Sequence, residues 1–580
     1  MKVLGISCSF WHDPSAALMI DGRTVAVVEE ERFTREKHAP DTLPIESARY
    51  CLREAGLRPE DVDLVAYSWS PEPYRATRFR YARGVITRRP KSALRALLAP
   101  GRHQRGPQRK LTALLEELGI PQHPVAWIPH HLAHAGSAYH LSRYDDAAVL
   151  SIDGMGEMAS ALFGRGTGPN IEEYADVLKP DSLGLFYAAI TDYLGFAIND
   201  GEFKVMGMAS YGDPNRYDLS DLIRVVNGRV RMDLDQVWPK ASKRYEGRRF
   251  GRQLVERLGP PREDSSADEP YIHIAAAAQR VLEEVTLQLI DHHLSSVLEE
   301  TRTLCFAGGC ALNVSLNRRI LDHPLVDRLF VPPVANDAGT ALGAAACATA
   351  ARGVSIEPLC HAYFGPDLNT DEIVAASRHR ELKMKRVEDT PAVAAEILAT
   401  GEPVAWCQGR MECGPRALGH RSILGHPGYL GVADTINEQI KFRERWRPFC
   451  PSILEERGAE ILGTDHPSPF MTYSFEVTPE WRERIPEVVH IDGTARPQLV
   501  NRDASPLYHR LIREFEKRTG LPCVLNTSLN RAGEPLVATP EDAVTMFLAC
   551  DLRHLFVGDH HFEKIESTAQ VESDAALESQ

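Results

Sequence analysis

The residues with the clearest chemical signal are two histidines, His130 and His134, in the segment His-His-Leu-Ala-His. A spacing of four places both imidazoles on one face of a helix, so both reach a single metal ion. Asp153 ends a strand-like run soon afterwards, and Asp337 lies in an Asp-Ala-Gly turn far downstream. Two histidines and two aspartates suit Fe(II), Mn(II) or Zn(II). The segment lacks the glutamate of His-Glu-x-x-His, so we do not predict a peptide-hydrolysing zinc site.

Four loops in the C-terminal third, at 409–422, 441–452, 492–498 and 525–535, are rich in glycine, proline, arginine and asparagine. Glycine lets the backbone approach a ligand closely, and arginine offers paired donors to a phosphate or carboxylate. Each loop alone is typical of surface chemistry, but four of them in one domain predict a convergent anion site. The side chains that we select as its candidates are Arg416, Lys441, Arg447, Arg496, Asn526 and Ser528.

A Gly-Gly turn follows the strand-like run at 304–307 and leads towards a helix. Such a turn lets backbone amides approach a phosphate or ribose, which makes Gly308, Gly309 and Asn313 candidates for nucleotide binding. A plain tight connection between strand and helix explains the same residues, and both interpretations stay open at this point.

The segment 73–115 contains no acidic residue and carries lysines and arginines from Arg75 to Lys110. In a nucleic-acid-binding protein this composition is typical of a phosphate-binding arm. In an acidic chain it favours a solvated helical insertion, or a lid over an anionic ligand. We therefore predict that this segment is a solvated helical insertion.

The elements that must position these residues follow a repeated plan. Strand-like runs at 3–9, 15–20 and 24–29 are matched by runs at 147–153, 158–164 and 171–177, with a hairpin signal at Asp21-Gly22. Two such lobes around a cleft are the plan of the actin, Hsp70 and sugar-kinase superfamily. Helical patterns follow at 271–300 and 341–348. We predict a boundary within 353–366, a second α/β domain to about residue 562, and a disordered acidic tail at 563–580.

Bulk properties predict a cytoplasmic enzyme of at least two domains. The chain has 580 residues, more than one hydrophobic core usually serves, and a net charge of −14, which argues against a general nucleic-acid or membrane-surface binder. No apolar run approaches the length of a membrane span, and the first residues resemble a buried strand more than a signal peptide. Eleven cysteines without a Cys-x-x-Cys pair indicate reduced thiols.

The whole chain, over about residues 1–560, resembles the O-carbamoyltransferases of secondary metabolism, whose members include the tobramycin, nodulation-factor, cephamycin and ansamycin enzymes. The resemblance is carried by the four C-terminal loops and by five further motifs, at 9–17, 29–37, 130–135, 201–207 and 336–343. Two positions depart from the family pattern: Cys413 stands where an aromatic residue is usual, and His420 where asparagine is usual. We expect these two departures to alter the shape of the pocket without changing the reaction.

The resemblance implies a mixed α/β fold of two fused modules. Residues 1–355 would form a duplicated, actin/Hsp70-like metal-binding domain for carbamoyl transfer, and residues 356–562 a YrdC-like α/β domain that forms an adenylate. The implied reaction combines carbamoyl phosphate and ATP into carbamoyl-adenylate. The carbamoyl group then passes to a hydroxyl of a small secondary metabolite, as in antibiotic biosynthesis.

The resemblance also implies roles for particular residues. His130, His134, Asp153 and Asp337 would bind a divalent metal, named as iron(II) from the resemblance alone, with zinc and manganese as alternatives. His12 would act as general base towards the acceptor hydroxyl, and Lys37 and Lys204 would stabilise the departing AMP. The C-terminal arginines would neutralise phosphate charge as the adenylate forms, with magnesium accompanying ATP.

Two rival functions remain at this stage. An actin-superfamily small-molecule kinase fits the N-terminal lobes, although the arginine-rich second domain argues against it. A tRNA-modifying fusion of the threonylcarbamoyl type fits the two modules and the basic segment, although the acidic charge argues against it. We expect no nucleic-acid or membrane partner. The acceptor and the oligomeric state are left open.

Overall fold

A computed structural model of the protein describes residues 1–8, 12–98, 105–263, 269–376, 382–444 and 446–565. Its strands are β1 (Lys2–Ser7), β2 (Ser15–Ile20), β3 (Arg23–Glu29), β4 (Leu64–Tyr67), β5 (Val125–Trp127), β6 (Asp146–Ile152), β7 (Ala159–Thr167), β8 (Asn170–Leu178), β9 (Ile223–Val226), β10 (Arg229–Met232), β11 (Thr303–Ala307), β12 (Arg328–Phe330), β13 (Leu382–Arg386), β14 (Val404–Cys407), β15 (Arg421–Gly425), β16 (Cys450–Leu454), β17 (Phe475–Glu476), β18 (Thr494–Ala495), β19 (Gln498–Val500), β20 (Cys523–Ser528), β21 (His554–Val557) and β22 (His560–Lys564).

The α-helices are α1 (Glu31–Thr34), α2 (Ile45–Glu54), α3 (Glu72–Ala76), α4 (Arg78–Val85), α5 (Pro90–Leu98), α6 (Arg105–Glu117), α7 (His130–Tyr139), α8 (Leu183–Tyr193), α9 (Glu202–Ala209), α10 (Arg252–Leu258), α11 (Tyr271–His293), α12 (Ser295–Thr301), α13 (Val314–Leu321), α14 (Thr340–Ala350), α15 (Thr370–Ala376), α16 (Thr390–Ala399), α17 (Val432–Thr435), α18 (Gly458–Leu462), α19 (Pro479–Arg484), α20 (Pro506–Thr519) and α21 (Pro540–Leu548).

Two five-stranded sheets share one topology. The first has the order β3-β2-β1-β4-β5, and the second has the order β8-β7-β6-β11-β12. In each sheet the first three strands form an antiparallel meander and the last two add in parallel. The predicted duplication is therefore confirmed, and the runs that carried the prediction coincide with β1–β3 and β6–β8 to within a few residues.

Two helices join these sheets and position the candidate metal ligands. Helix α7 packs on the second sheet, α14 packs on the first, and the two helices pack against each other. A Cβ on Gly343 would lie 1.8 Å from the Ala133 carbonyl oxygen, and one on Gly136 would lie 2.3 Å from Cys347 Sγ. Because these residues are glycines, the backbones of α7 and α14 can come into contact where the two helices cross. Since α7 carries the two histidines and a 3-10 turn at Asp337–Gly339 leads into α14, the crossing brings both ligand sets together.

The C-terminal part contains an eight-stranded mixed sheet in the order β13-β22-β21-β14-β15-β20-β16-β19. The loop between β14 and β15 carries Arg416, and β20 carries Asn526 and Ser528. The fold-class prediction of a mixed α/β chain with duplicated lobes and a further α/β part is therefore confirmed. The division at residue 355 stays a prediction.

A buried joint connects the C-terminal loop to the N-terminal part. Arg32 Nη2 donates to the Gly414 carbonyl at 2.7 Å, while the Gly414 N–H donates to Glu29 Oε1 at 2.7 Å. Arg32 also pairs with Glu29 at 3.2 Å and with Glu31 at 3.1 Å, and its side chain is 2% exposed. The Glu-Glu-Glu-Arg motif therefore holds the backbone of the loop that carries Arg416.

Two details of the sequence-based prediction were wrong. The helix predicted over 271–300 is broken at Leu294 into α11 and α12. Glu563 and Lys564, which were predicted to belong to the disordered tail, lie in β22, and residues 566–580 lie outside the described residues. Among the described helices, none combines the length and apolar character needed to cross a bilayer.

Candidate active site

One cavity of about 1370 Å³ collects most of the residues selected from the sequence. Those that line it are His12, Lys37, Asp153, Lys204, Gly309, Asn313, Asp337, Arg416, Lys441, Arg447, Arg496, Asn526 and Ser528. His130 and His134 are buried, and Gly308 is the residue before Gly309. Candidates from distant parts of the chain, from the β1–β2 connection to β20, therefore face one space.

The two histidines and two aspartates form a compact cluster. One ligand atom from each of His130, His134, Asp153 and Asp337 lies within 4.8 Å of the others. His130 Nε2 is 3.4 Å from Asp153 Oδ2 and 3.5 Å from Asp337 Oδ1, and His134 Nε2 is 3.4 Å from Asp337 Oδ1. Four convergent nitrogen and oxygen donors at this spacing fit a divalent cation.

The charges of this cluster also favour a cation. Burial and the neighbouring Asp153 carboxylate raise the pKa of Asp337. The pKa of Asp153 is held well below its usual range, because contacts with His130 and His134 outweigh the effect of burial. Two carboxyl groups in one buried site resist joint ionisation unless a positive charge joins them. Burial also lowers the pKa of His134, which keeps that imidazole neutral and able to coordinate.

Two contacts orient the metal-ligand candidates. The Gly309 N–H donates to Asp153 Oδ1 at 3.0 Å, so the Gly-Gly turn holds a carboxylate of this chain. The buried Glu157 accepts hydrogen bonds from the His130 N–H at 3.0 Å and the Ser70 N–H at 2.9 Å. Because a helix begins with unsatisfied N–H groups, Glu157 caps α7 at the turn that carries His130.

His12 lies beside the cluster within a strongly acidic group. Its Nδ1 is 3.1 Å from Asp13 Oδ2, and its Nε2 is 3.9 Å from Asp337 Oδ2. Burial lowers the pKa of His12, but the hydrogen bond with Asp13 and the charge of Asp337 outweigh burial and raise it to about 9. With these carboxylates uncompensated, His12 holds a proton at neutral pH. Action as a base therefore requires a cation that offsets their charge.

The other end of the cavity is rich in cations, of which Lys441 is buried and the arginines are half-buried. Lys441 Nζ donates to the carbonyl oxygens of Ser528 and Asn530, both at 2.7 Å. Burial together with the charges of Arg443 and Arg447 holds the pKa of Lys441 well below its usual range. Burial, reinforced by Arg496, lowers the pKa of Arg416 to about 9. This arrangement places positive charges against one another in a desolvated space.

Few acids balance these cations. Glu444 lies 3.3 Å from Lys204 and 3.8 Å from Arg447. Among the described residues, no carboxylate lies within 4.0 Å of the side-chain nitrogens of a further group of four cations, namely Arg416, Lys441, Arg443 and Arg496. A cluster of partly desolvated, uncompensated cations is the electrostatic signature of an anion site.

The remaining candidates have structural contacts of their own. Asn313 caps α13 by accepting from the Leu316 N–H at 2.9 Å, and its amide exchanges hydrogen bonds with Gln279 at 2.8 and 3.0 Å. Lys37 pairs closely with Asp200. Asn526 donates to Ser452 Oγ at 3.0 Å, while its own oxygen is buried without a partner among the described atoms. The nucleotide-binding role assigned to Gly308, Gly309 and Asn313 stays a prediction.

The two departures from the family pattern lie within the loop 409–422 and do not line the cavity. The His420 ring stacks on Tyr363 with centroids 3.6 Å apart, and its nitrogens contact the Arg410 carbonyl at 2.7 Å and Ser505 Oγ at 2.9 Å. Cys413 is buried with 1% exposure. Both therefore support the loop that carries Arg416.

Several neighbours of the candidate residues were not selected from the sequence. Asp13 bridges His12 and His38, with His38 Nδ1 at 2.7 Å from Asp13 Oδ1. Glu157 and Arg443 were likewise not selected as site residues. Asp13 directly follows His12, so adjacency was a usable signal, whereas no spacing rule links Glu157 to the helix that it caps.

The basic segment forms helices α3–α6 and contacts the second lobe. Arg88 pairs with Asp181 at 2.6 and 2.7 Å, Arg80 pairs closely with Asp176, and Arg89 Nη2 donates to the Trp238 carbonyl at 2.9 Å. The predicted helical character of the segment is therefore confirmed for its described residues, and its status as an insertion stays a prediction. Arg102 lies outside the described residues, as does Arg445 of the second C-terminal loop.

Comparisons with known proteins add to this geometry. Family models described as carbamoyltransferase N-terminus and carbamoyltransferase C-terminus match residues 2–347 and 395–564. Nodulation protein NolNO of Sinorhizobium fredii is 37% identical over 99% of this chain and 82% of its own length. An uncharacterized protein of Synechocystis is 35% identical over 95% of each chain. Among solved structures, HypF of T. kodakarensis covers 61% of this chain and 48% of its own, with 13% identity and a TM-score of 0.33.

Proposed function

The chain belongs to the carbamoyltransferase family, and from that membership we propose that it is an ATP-dependent O-carbamoyltransferase that works through carbamoyl-adenylate. Family membership makes the protein an enzyme of carbamoyl transfer. We further propose the adenylate route, the roles of the site residues and a hydroxylated small-molecule acceptor.

We assign adenylate formation to the cation-rich end. Water releases phosphate from carbamoyl phosphate to leave carbamate, and a carbamate oxygen then displaces pyrophosphate from the α-phosphorus of ATP. Carbamoyl phosphate, carbamate and ATP are all anions, so their approach to one another requires fixed positive charge. Arg416, Lys441, Arg447 and Arg496 supply that charge at the cavity wall, and Asn526 and Ser528 add neutral hydrogen-bonding groups.

We assign carbamoyl transfer to the end with the histidine–aspartate cluster. His130, His134, Asp153 and Asp337 would hold a divalent metal, for which we propose iron(II). When bound, such an ion stabilises phosphate charge and polarises a neighbouring carbonyl. Gly309 and Glu157 keep its ligands in position through the Asp153 carboxylate and the start of α7.

His12 is our candidate to take the proton of the acceptor hydroxyl. The oxygen then attacks the carbamoyl carbon, the bond to the AMP oxygen breaks, and AMP leaves with its charge near Lys37 and Lys204. Asp13 holds His12 Nδ1 at 3.1 Å, which fixes the ring and directs Nε2 towards the cluster. A positive charge in that cluster offsets the carboxylates that otherwise keep His12 protonated.

The observation that carries this proposal is that both ends share a single cavity of about 1370 Å³. Carbamoyl-adenylate is a mixed anhydride and reacts with water, so formation and use within one space protect it. An actin-type kinase would have no use for the second, cation-rich end. A cytoplasmic location fits the eleven cysteines, all of which are free thiols.

The test is exchange of labelled pyrophosphate into ATP by the purified protein, with and without carbamoyl phosphate. We expect exchange that depends on carbamoyl phosphate, followed by a carbamoylated product detected by mass spectrometry across a panel of hydroxylated acceptors. Transfer of the ATP γ-phosphate to an acceptor without carbamoyl phosphate would support the kinase instead. Salt-sensitive binding of tRNA would support the tRNA-modifying fusion.

A further inference from the structure

A second group of arginines surrounds Trp238 on elements that the proposed reaction does not use. Trp238 and Arg249 both line the cavity, and the Arg249 guanidinium carbon lies 5.0 Å from the centroid of the Trp238 ring. The Trp238 N–H donates to the Arg249 carbonyl at 2.8 Å, and Val237 and Phe250 form an antiparallel bridge beside them. The stacked pair is therefore held by backbone pairing.

Two further arginines stand close to this pair. Arg89, from the basic segment, donates to the Trp238 carbonyl at 2.9 Å. Burial lowers the pKa of Arg244, and the positive charges of Arg249 and Arg89 lower it further. The backbone of Arg244 forms an antiparallel bridge with Gly251, which keeps Arg244 on the segment that pairs with the one carrying Arg249. Arginines from two distant parts of the chain thus lie around the stacked Trp238–Arg249 pair.

The nearby acid does not neutralise them. The Asp192 carboxylate is already bound by Arg248 Nη1 at 3.2 Å and by the backbone N–H of Arg249 at 2.6 Å. Over the described ranges, no carboxylate lies within 4.0 Å of the guanidinium nitrogens of Arg89, Arg244 or Arg249. Mutual repulsion makes such a group unfavourable until an anion enters.

We propose that Trp238, Arg244 and Arg249 form a subsite that recognises an anionic group, a phosphate or a carboxylate, carried by the carbamoyl acceptor. The proposal rests on the proposed function, because it places an acceptor in the same cavity as His12. Arginine supplies paired donors that match both anions, and the indole offers a flat apolar surface to a sugar or other ring. Arg89 acts as a positioning residue that holds the Trp238 backbone.

The binding test uses D-glucose 6-phosphate, D-glucuronate and D-glucose as probes in isothermal titration calorimetry. The full-length protein is first saturated with carbamoyl phosphate and a non-hydrolysable ATP analogue, which occupy the Arg416 end. We expect at least one anionic probe to bind at least about tenfold more tightly than glucose. The stronger of the two identifies the anion as phosphate or carboxylate. Equal binding of all three probes would overturn the proposal.

The variant test separates this subsite from general surface charge. We expect Arg244→Gln/Arg249→Gln to lose at least about tenfold in affinity for the preferred anion, with glucose binding unchanged. Arg224→Gln/Arg229→Gln removes two exposed arginines from the neighbouring β9–β10 hairpin and should bind like wild type. Undiminished anion affinity in the first variant, or an equal loss in both, contradicts the subsite.

Two further measurements keep the result interpretable. If the double variant does not fold, Arg249→Lys keeps the charge and removes the planar pair of donors, and it should still weaken anion binding. Pyrophosphate exchange by the wild type is measured separately. Its absence would break the proposed function, whereas failure of anion binding with exchange intact would break only this subsite.

Discussion

The two ends of the cavity are electrostatic opposites. At one end two buried aspartates meet histidines, and burial with a like charge raises the pKa of Asp337. At the other end buried cations face one another, and burial with like charges lowers the pKa values of Arg416 and Lys441. Each end is unfavourable alone and is relieved by a ligand of opposite sign.

In the proposed reaction, this contrast would separate the two half-reactions within one cavity. One end favours a cation and the other favours anions, so in the proposed reaction each end would bind different reactants. Changes at the two ends should therefore fail in different assays.

The largest effect is expected at the histidine–aspartate end. His134→Ala removes a ligand with 0% exposure and should lower carbamoyl transfer by about 10³-fold or more, because the transfer end loses its cation. Elemental analysis should show little bound metal, while circular dichroism stays unchanged. His140→Ala, which alters the histidine at the end of the same helix, serves as the matched control. Undiminished metal content in His134→Ala would rule out the assignment.

A similar but separable loss is expected at the cation-rich end. Arg416→Ala should reduce exchange that depends on carbamoyl phosphate by about 10²- to 10³-fold, because a donor to developing charge is lost. His12→Ala should retain exchange and lose transfer. If both variants lose exchange equally, the division between the ends does not hold. Arg416→Lys should recover only part of the exchange rate.

A smaller effect is expected from the cap of α7. Glu157→Gln keeps the size of the side chain but weakens acceptance from the His130 N–H, and should lower metal affinity by about 10- to 100-fold. Competition with a chelator measures the affinity directly. Glu172→Gln changes an exposed glutamate on β8 and should have no effect. Unchanged affinity in Glu157→Gln would show that α7 holds His130 without the cap.

The smallest effect is expected from the basic segment. Arg88→Gln should raise the acceptor KM by about threefold, because Arg88 holds Asp181, next to Ser182, whose hydroxyl donates to the Gly154 carbonyl at 2.7 Å. Arg83→Gln, at an exposed position on α4, is the control. An unchanged acceptor KM in Arg88→Gln, measured with a reactive acceptor, would mean that this contact serves stability alone.

Local patterns predicted the ligand-bearing elements well, and long-range contacts poorly. The recurrence of three strand-like runs, now β1–β3 and β6–β8, predicted the duplication, and the spacing of His130 and His134 placed both on one helix face. The crossing of α7 and α14 depends on Gly136 and Gly343, whose role becomes visible only when the helices meet. Glu157 was missed for the same reason, because it caps a helix that begins 27 positions earlier in the chain.

The joint between Arg32 and Gly414 has a consequence during synthesis. The two residues are 382 positions apart, so a ribosome that adds about 5 to 20 residues per second needs about 20 to 80 s to pass from one to the other. Throughout that interval Arg32 and Glu29 have no loop backbone to bind. During synthesis Arg32 and Glu29 must therefore stay hydrated. They become buried only when the loop that carries Gly414 packs against them.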